Sequence, residues 1–217
     1  MNDRIERVIK SLEKNNINAV FVDKKEDIVP LVKSMLFKDA VITNGGSMSV
    51  IESGVDKLIE NGDYNYFNRF REGITPEEQL EVYKKVLESD FYFCSTNALT
   101  ENGELVNVDG NCNRISAISF GPRKVIMIVG INKIVKDVNE GFLRVKKIAA
   151  PKNCVRLGVK SPCSVLGHCV SLEKSDNPDI TDGCDTAGRI CCTYQVTGRQ
   201  RVNDRITVVI CGESLGY

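Results

Sequence analysis

Residues 91 to 96 read FYFCST and residues 124 to 129 read KVIMIV, the most apolar run in the chain. Neither run alternates between apolar and polar side chains, so neither suits a sheet with one wet face. Both need cover on two sides. Short runs of this kind between helix-period segments imply a layered α/β fold with a largely parallel sheet.

The rest of the first 150 residues fits that frame. Asn2 is a cap for a helix whose Ile5, Val8, Ile9 and Leu12 share one face. NAVFVD (18 to 23) and DAVIT (39 to 43) read as strands, with a helix between them capped by Asp27 and carrying Pro30 in its first turn. After YNYF (64 to 67), Thr75, Pro76 and Glu78 form a capping-box start, and Leu80, Tyr83 and Leu87 are the expected buried stripe. Asp137 to Ile148 reads as a further helix. RITVVIC (205 to 211) returns to a strand pattern, so one domain over 1 to 217 is expected, with a cysteine-rich insertion at about 151 to 195.

A chain of 217 residues buries a core large enough to stand without disulfides. The opening MNDRIERVIK lacks both a secretory apolar core and an Arg/Ser-rich transit pattern, and no apolar run approaches the ~18 residues that span a bilayer. The expectation is a cytoplasmic protein with no membrane partner. The 29 Lys+Arg balance 29 Asp+Glu, so no general field draws it to nucleic acid. Six of the nine cysteines (154, 163, 169, 184, 191, 192) nevertheless fall within one irregular segment, beside the single histidine, His168. In a reducing compartment that crowding points to metal binding or reactive thiols. Cys163, Cys169, Cys184 and Cys191 offer four ligands, enough for a tetrahedral zinc or a four-iron cluster.

Two other stretches carry chemistry. In VITNGGSMSV, Thr43, Asn44, Gly45, Gly46 and Ser47 form a strand-to-helix loop in which glycines let backbone approach an anion. The same residues also suit a plain turn with positive φ, and the sequence leaves both readings open. Residues 95 to 135 crowd polar side chains between two buried strands: Asn97, Asn107, Asn113 and Arg114 are candidate ligand contacts, and Glu101 and Asp109 are candidate acid and base. Asn-Gly at 102 to 103 and Asp-Gly at 109 to 110 are also turn signals.

TNGGSMS, the segment from NALTENGELVN through NRISAISFGP to GINKIV, and the terminal RITVVI and ESLGY together resemble the LUD domain family, that of lactate utilisation protein C, over essentially the whole chain. The resemblance implies a Rossmann-like sheet of the kind shared by sugar-phosphate isomerases, CoA transferases and eIF2B-like proteins, with ligands at the carboxyl ends of the strands. It implies a role in oxidising lactate to pyruvate beside iron–sulfur partner proteins. SPCSVLGHC and CDTAGRIC resemble the cysteine tail of one LUD branch, with a longer gap here between the second and third cysteines. Loose spacing and redox company favour a four-iron cluster over zinc. The expected function is therefore a subunit that binds a small organic anion and works with iron–sulfur oxidoreductase subunits. The alternative is a regulatory or isomerase/transferase-like domain with a structural zinc.

Overall fold

A computed structural model describes residues 2–217. Its ten strands form two sheets. The strands are β1 (Asn18–Val22), β2 (Val41–Asn44), β3 (Asn65–Tyr66), β4 (Phe91–Cys94), β5 (Ala98–Thr100), β6 (Leu105–Asp109), β7 (Lys124–Gly130), β8 (Ile134–Val135), β9 (Thr193–Thr197) and β10 (Ile206–Cys211). Six of them make the main sheet in the order β1-β10-β7-β4-β2-β3, and every pairing in it is parallel. The smaller sheet runs β8-β5-β6-β9 and is mixed.

The two apolar runs form β4 and β7, side by side near the centre, and alternate residues serve opposite faces. Val125, Met127 and Val129 pack with Tyr92 and Cys94 against Val8 and Leu12 of α1 (Asp3–Lys14). Ile126 and Ile128 pack with Phe91 and Phe93 on the other face, against Ile28 and Val32 of α2 (Ile28–Met35), Val50 of α3 (Met48–Glu52) and Ile59 of α4 (Val55–Asn61). Helices on both faces are what strands without polar alternation require. The late strand β10 enters between β1 and β7, inside the sheet and next to its β1 edge.

Local signals set most boundaries. Asn2 accepts the Ile5 amide at 3.0 Å, and Thr75 and Glu78 make the reciprocal capping box of α5 (Pro76–Val86). Three expectations need correction. The buried face of α5 is Val82 and Val86, while Leu80 and Leu87 are exposed and the Tyr83 hydroxyl accepts from Arg69 at 2.7 Å. The expected stripe has i, i+3, i+7 spacing and the observed pair i, i+4, both helical, and packing under the helix decided between them. Asp27 makes no side-chain cap, because a 3-10 turn over Lys25–Asp27 leads into α2.

The third correction concerns the helix expected to stop at Ile148. After α6 (Asn113–Ser119), α7 (Val138–Arg144) runs through a π-helical turn, Val145–Ala149, into α8 (Ala150–Arg156). Pro151 has no N–H, so the Lys146 carbonyl five residues back has no donor within the π turn. It accepts instead from the Cys169 amide, at 2.9 Å, and so ties the cysteine segment to the helix. Beyond a short α9 (Pro162–Leu166) that segment is mostly irregular until β9. No helix among the described residues is long and apolar enough to cross a membrane.

Candidate functional site

In a parallel sheet all carboxyl ends face one way, and the loops that follow them meet. Here they enclose a cavity of about 520 Å³. Gly45 to Met48 follow β2, Arg69 and Phe70 follow β3, Ser95 to Asn97 follow β4, Lys133 follows β7 and Tyr217 follows β10. Asp109 and Arg114 join them from the end of β6 and the first turn of α6, and Asn113 lies beside Arg114.

The glycine loop is closely shaped. A Cβ on Gly45 would stand 2.6 Å from the Tyr92 hydroxyl, and one on Gly46, whose φ is +66°, would run into Phe70. Both the positive φ expected of a turn and an opening onto a cavity are therefore present at Gly46.

Asp109 and Arg114 brace the wall. Arg114 Nη1 donates to the Ser95 carbonyl at 3.0 Å and to Asn107 Oδ1, and Nη2 donates to Asn97 Oδ1, the Val108 carbonyl and Asp109 Oδ1 at 2.8, 3.0 and 2.7 Å. Asp109 Oδ2 accepts the Ile115 amide at 2.7 Å. The guanidinium thus locks three loops together, and its own charge is met.

The remaining charge on the cavity is unbalanced. Its basic side chains are Arg69, Arg114, Lys133, Arg156 and Arg189, and its single acidic side chain is Asp109. Among the described residues only Arg114 of these five is ion-paired. Arg69 donates from Nη1 to Tyr83, stacks over Phe70 at 4.3 Å, and keeps a buried Nε without an acceptor. Lys133 is buried, and burial first, then Arg144 and Arg114, push its pKa down to about 7.

A second cavity, about 20 Å³, is lined by all four expected cysteines, Cys163, Cys169, Cys184 and Cys191, with Phe142, Val170 and Tyr194 among its apolar walls. That volume has room for about one water. Cys154 Sγ lies 3.6 Å from Cys163 Sγ, and burial pushes the Cys154 thiol up to about 11. Among the described residues no group of three or more His, Cys, Asp or Glu side chains is arranged to hold a metal ion. His168 lies outside this cavity, 3.8 Å from Glu173 and 3.1 Å from the Leu166 carbonyl. Val145, Ala150 and Cys191 line both cavities, so the two share a wall. The Cys192 amide donates to the Asp109 carbonyl at 3.0 Å, which fixes that wall to the end of β6.

A model of the LUD domain matches residues 5–211. The chain belongs to the LUD domain family. Its fold is similar to the crystal structure of a DUF162 family protein from Deinococcus radiodurans, at 14% identity, 96% coverage of both chains and a TM-score of 0.51. It is also similar to eIF2B beta from Chaetomium thermophilum, at 12% identity over 65% of this chain and 46% of that one, with a TM-score of 0.39. No curated protein matches it.

Of the expected ligand residues, this LUD domain brings Gly45, Gly46, Ser47, Asn97, Asn113 and Arg114 to the large cavity, along with Asp109. Thr43, Asn44 and Asn107 stand behind it. Thr43 Oγ1 is hydrogen-bonded to Ser89 at 3.0 Å, Asn44 donates to the Tyr66 hydroxyl at 2.8 Å, and Asn107 accepts from Arg114. Glu101 lies elsewhere, paired with Arg4 at 2.7 Å and Arg7 at 3.6 Å, and these two cations hold its carboxyl below its ordinary pKa. Sequence reasoning missed Arg69 and Lys133. Lys133 had a signal: it is the one charge in INKIV, just past the strongest strand of a parallel sheet.

Proposed function

We propose that this LUD domain binds a small organic anion, a 2-hydroxy or 2-keto acid such as lactate or pyruvate, in the large cavity, and that it works with an iron–sulfur oxidoreductase partner. The observation that carries the reading is the charge of the cavity: four arginines line it against one acidic side chain, Asp109, which is itself taken by Arg114. A site with that balance favours a ligand that brings negative charge. Arg69, with its unused Nε, is the side chain that takes the ligand's carboxylate, and the Gly45–Gly46 loop lets the ligand approach the backbone.

Redox company is supported by the shared wall. Cys163, Cys169, Cys184 and Cys191 are the thiols that would hold a four-iron centre, which would supply one-electron chemistry. Oxidising a 2-hydroxy acid to a 2-keto acid releases two electrons and two protons, so the partner is the electron acceptor. Fitting such a centre requires the walls of the thiol cavity to move apart. The small volume favours a second reading, a single structural zinc on the same thiols.

Saturation-transfer NMR with pyruvate and with lactate tests the anion site. Signal transfer is expected in the wild type, and Arg69→Gln should weaken binding roughly tenfold, the worth of one charged hydrogen bond. No transfer from either acid would contradict the substrate class. A strain lacking this protein and any second copy should grow poorly on lactate, and normal growth would remove the lactate assignment.

A further inference from the structure

Lys133 differs from the other cations of the cavity because an amine can become neutral and nucleophilic, whereas a guanidinium stays charged. Its side chain reaches the cavity wall from the turn after β7, and the residue is only 3% exposed. Nζ has two acceptors, Ser95 Oγ at 3.1 Å and the Thr96 carbonyl at 3.4 Å. It has no ion-pair partner among the described residues. The charged and titratable groups around it are Arg144, Arg114, Glu52 and Cys94. Two guanidinium groups and burial outweigh the one carboxylate.

A neutral amine has two N–H groups and a lone pair, while an ammonium has three N–H groups. Two acceptors match the two N–H groups of the neutral form, whose lone pair takes no part in either bond. A desolvated lysine beside another cation is the arrangement that makes an amine a nucleophile at neutral pH. We propose that Lys133 forms an imine with the carbonyl carbon of a small 2-keto acid seated in the cavity. This rests on the organic-anion reading and adds the reacting group of the substrate to it.

The step balances without an outside reagent. A bond forms between Nζ and the carbonyl carbon, the carbon–oxygen bond breaks, and the oxygen leaves as water with the two amine protons. Ser95 Oγ accepts from Nζ at 3.1 Å and donates to the Thr96 carbonyl at 3.3 Å, a hydrogen-bond chain that holds the amine in place as the bond forms. The reverse step releases the keto acid.

Borohydride-type trapping tests it. The full chain is incubated with pyruvate and sodium cyanoborohydride near pH 7, followed by intact mass and peptide mapping. One adduct per chain is expected on Lys133, absent in Lys133→Met and in Lys133→Arg when both retain wild-type circular dichroism. The trapping rate should level off just above pH 7, whereas exposed lysines need a pH near about 10. Adducts on other lysines that persist equally in both variants would overturn the proposal. So would no adduct while saturation-transfer NMR still reports bound pyruvate, an outcome that leaves the anion site standing. No pyruvate binding at all would overturn the proposal together with the reading beneath it.

Discussion

Nη2 of Arg114 lies 2.7 Å from Oδ1 of Asp109, with the two side chains 13% and 9% exposed. The pair joins the end of β6 to α6, and through Asn97 and Ser95 it also holds the loop after β4. It is the cavity's brace, and removing one partner leaves a mostly buried charge alone. Asp109→Asn should therefore cost about 3 kcal/mol of stability. Urea unfolding reads this as a lower midpoint at unchanged m-value. A loss under about 1 kcal/mol would mean that the pair is solvated like an ordinary surface bridge.

Gly46 is restricted twice, by its φ of +66° and by Phe70. Gly46→Val should cost about 1–3 kcal/mol through backbone strain and abolish pyruvate binding in the molecules that remain folded. Gly198→Val is the control, since a Cβ there meets nothing within 4 Å. Equal binding by wild type and a folded Gly46→Val protein would reduce the loop to a turn.

Glu101 gives the opposite expectation. Its pairs with Arg4 and Arg7 are partly exposed and lie outside both cavities. Glu101→Gln should change stability by less than about 1 kcal/mol and leave pyruvate affinity as it was. A large loss of binding would place Glu101 in the site after all.

The parts of this molecule that were legible in the sequence are those set by local chemistry. Asn2, the Thr75–Glu78 box and the two unalternating runs each have a short-range cause, and each reads the same in the structure. Residue 45 onward was legible as a loop with something to approach, because two adjacent glycines after a strand carry a backbone reason. What was not legible depends on contacts distant in the chain. The choice between Leu80 and Val82 as the buried side of α5 is made by the layer beneath it. The continuation of a helix through Pro151 depends on a π turn whose free carbonyl is taken by Cys169. The division of the polar residues into Asp109 at the cavity and Glu101 away from it follows from the β5–β6 hairpin, which carries its turn to α1.

Lys133 also predicts how stability depends on pH. Its folded pKa is lowered from 10.5 to about 7, so between those values the unfolded chain holds a proton that the folded chain lacks. Unfolding then takes up a proton, and the contribution of Lys133 to stability rises with pH across that window and is lost as pH falls through about 7. Against Lys133→Met, the wild type should gain up to about 1.4 kcal/mol per pH unit within the window. Thermal or urea unfolding of both proteins from pH 7 to 10 checks this, and parallel curves would refute it.

The thiol cavity and the large cavity share Cys191, and the redox reading stands on that shared wall. The most direct test is iron, sulfide and zinc analysis of anaerobically purified protein, with its absorption spectrum recorded before and after adding pyruvate. The account predicts about four iron and four sulfide per chain, a broad visible absorption that shifts on adding pyruvate, and loss of most of the iron in Cys169→Ser. Zinc without iron, no metal at all, or iron content unchanged in Cys169→Ser would contradict it.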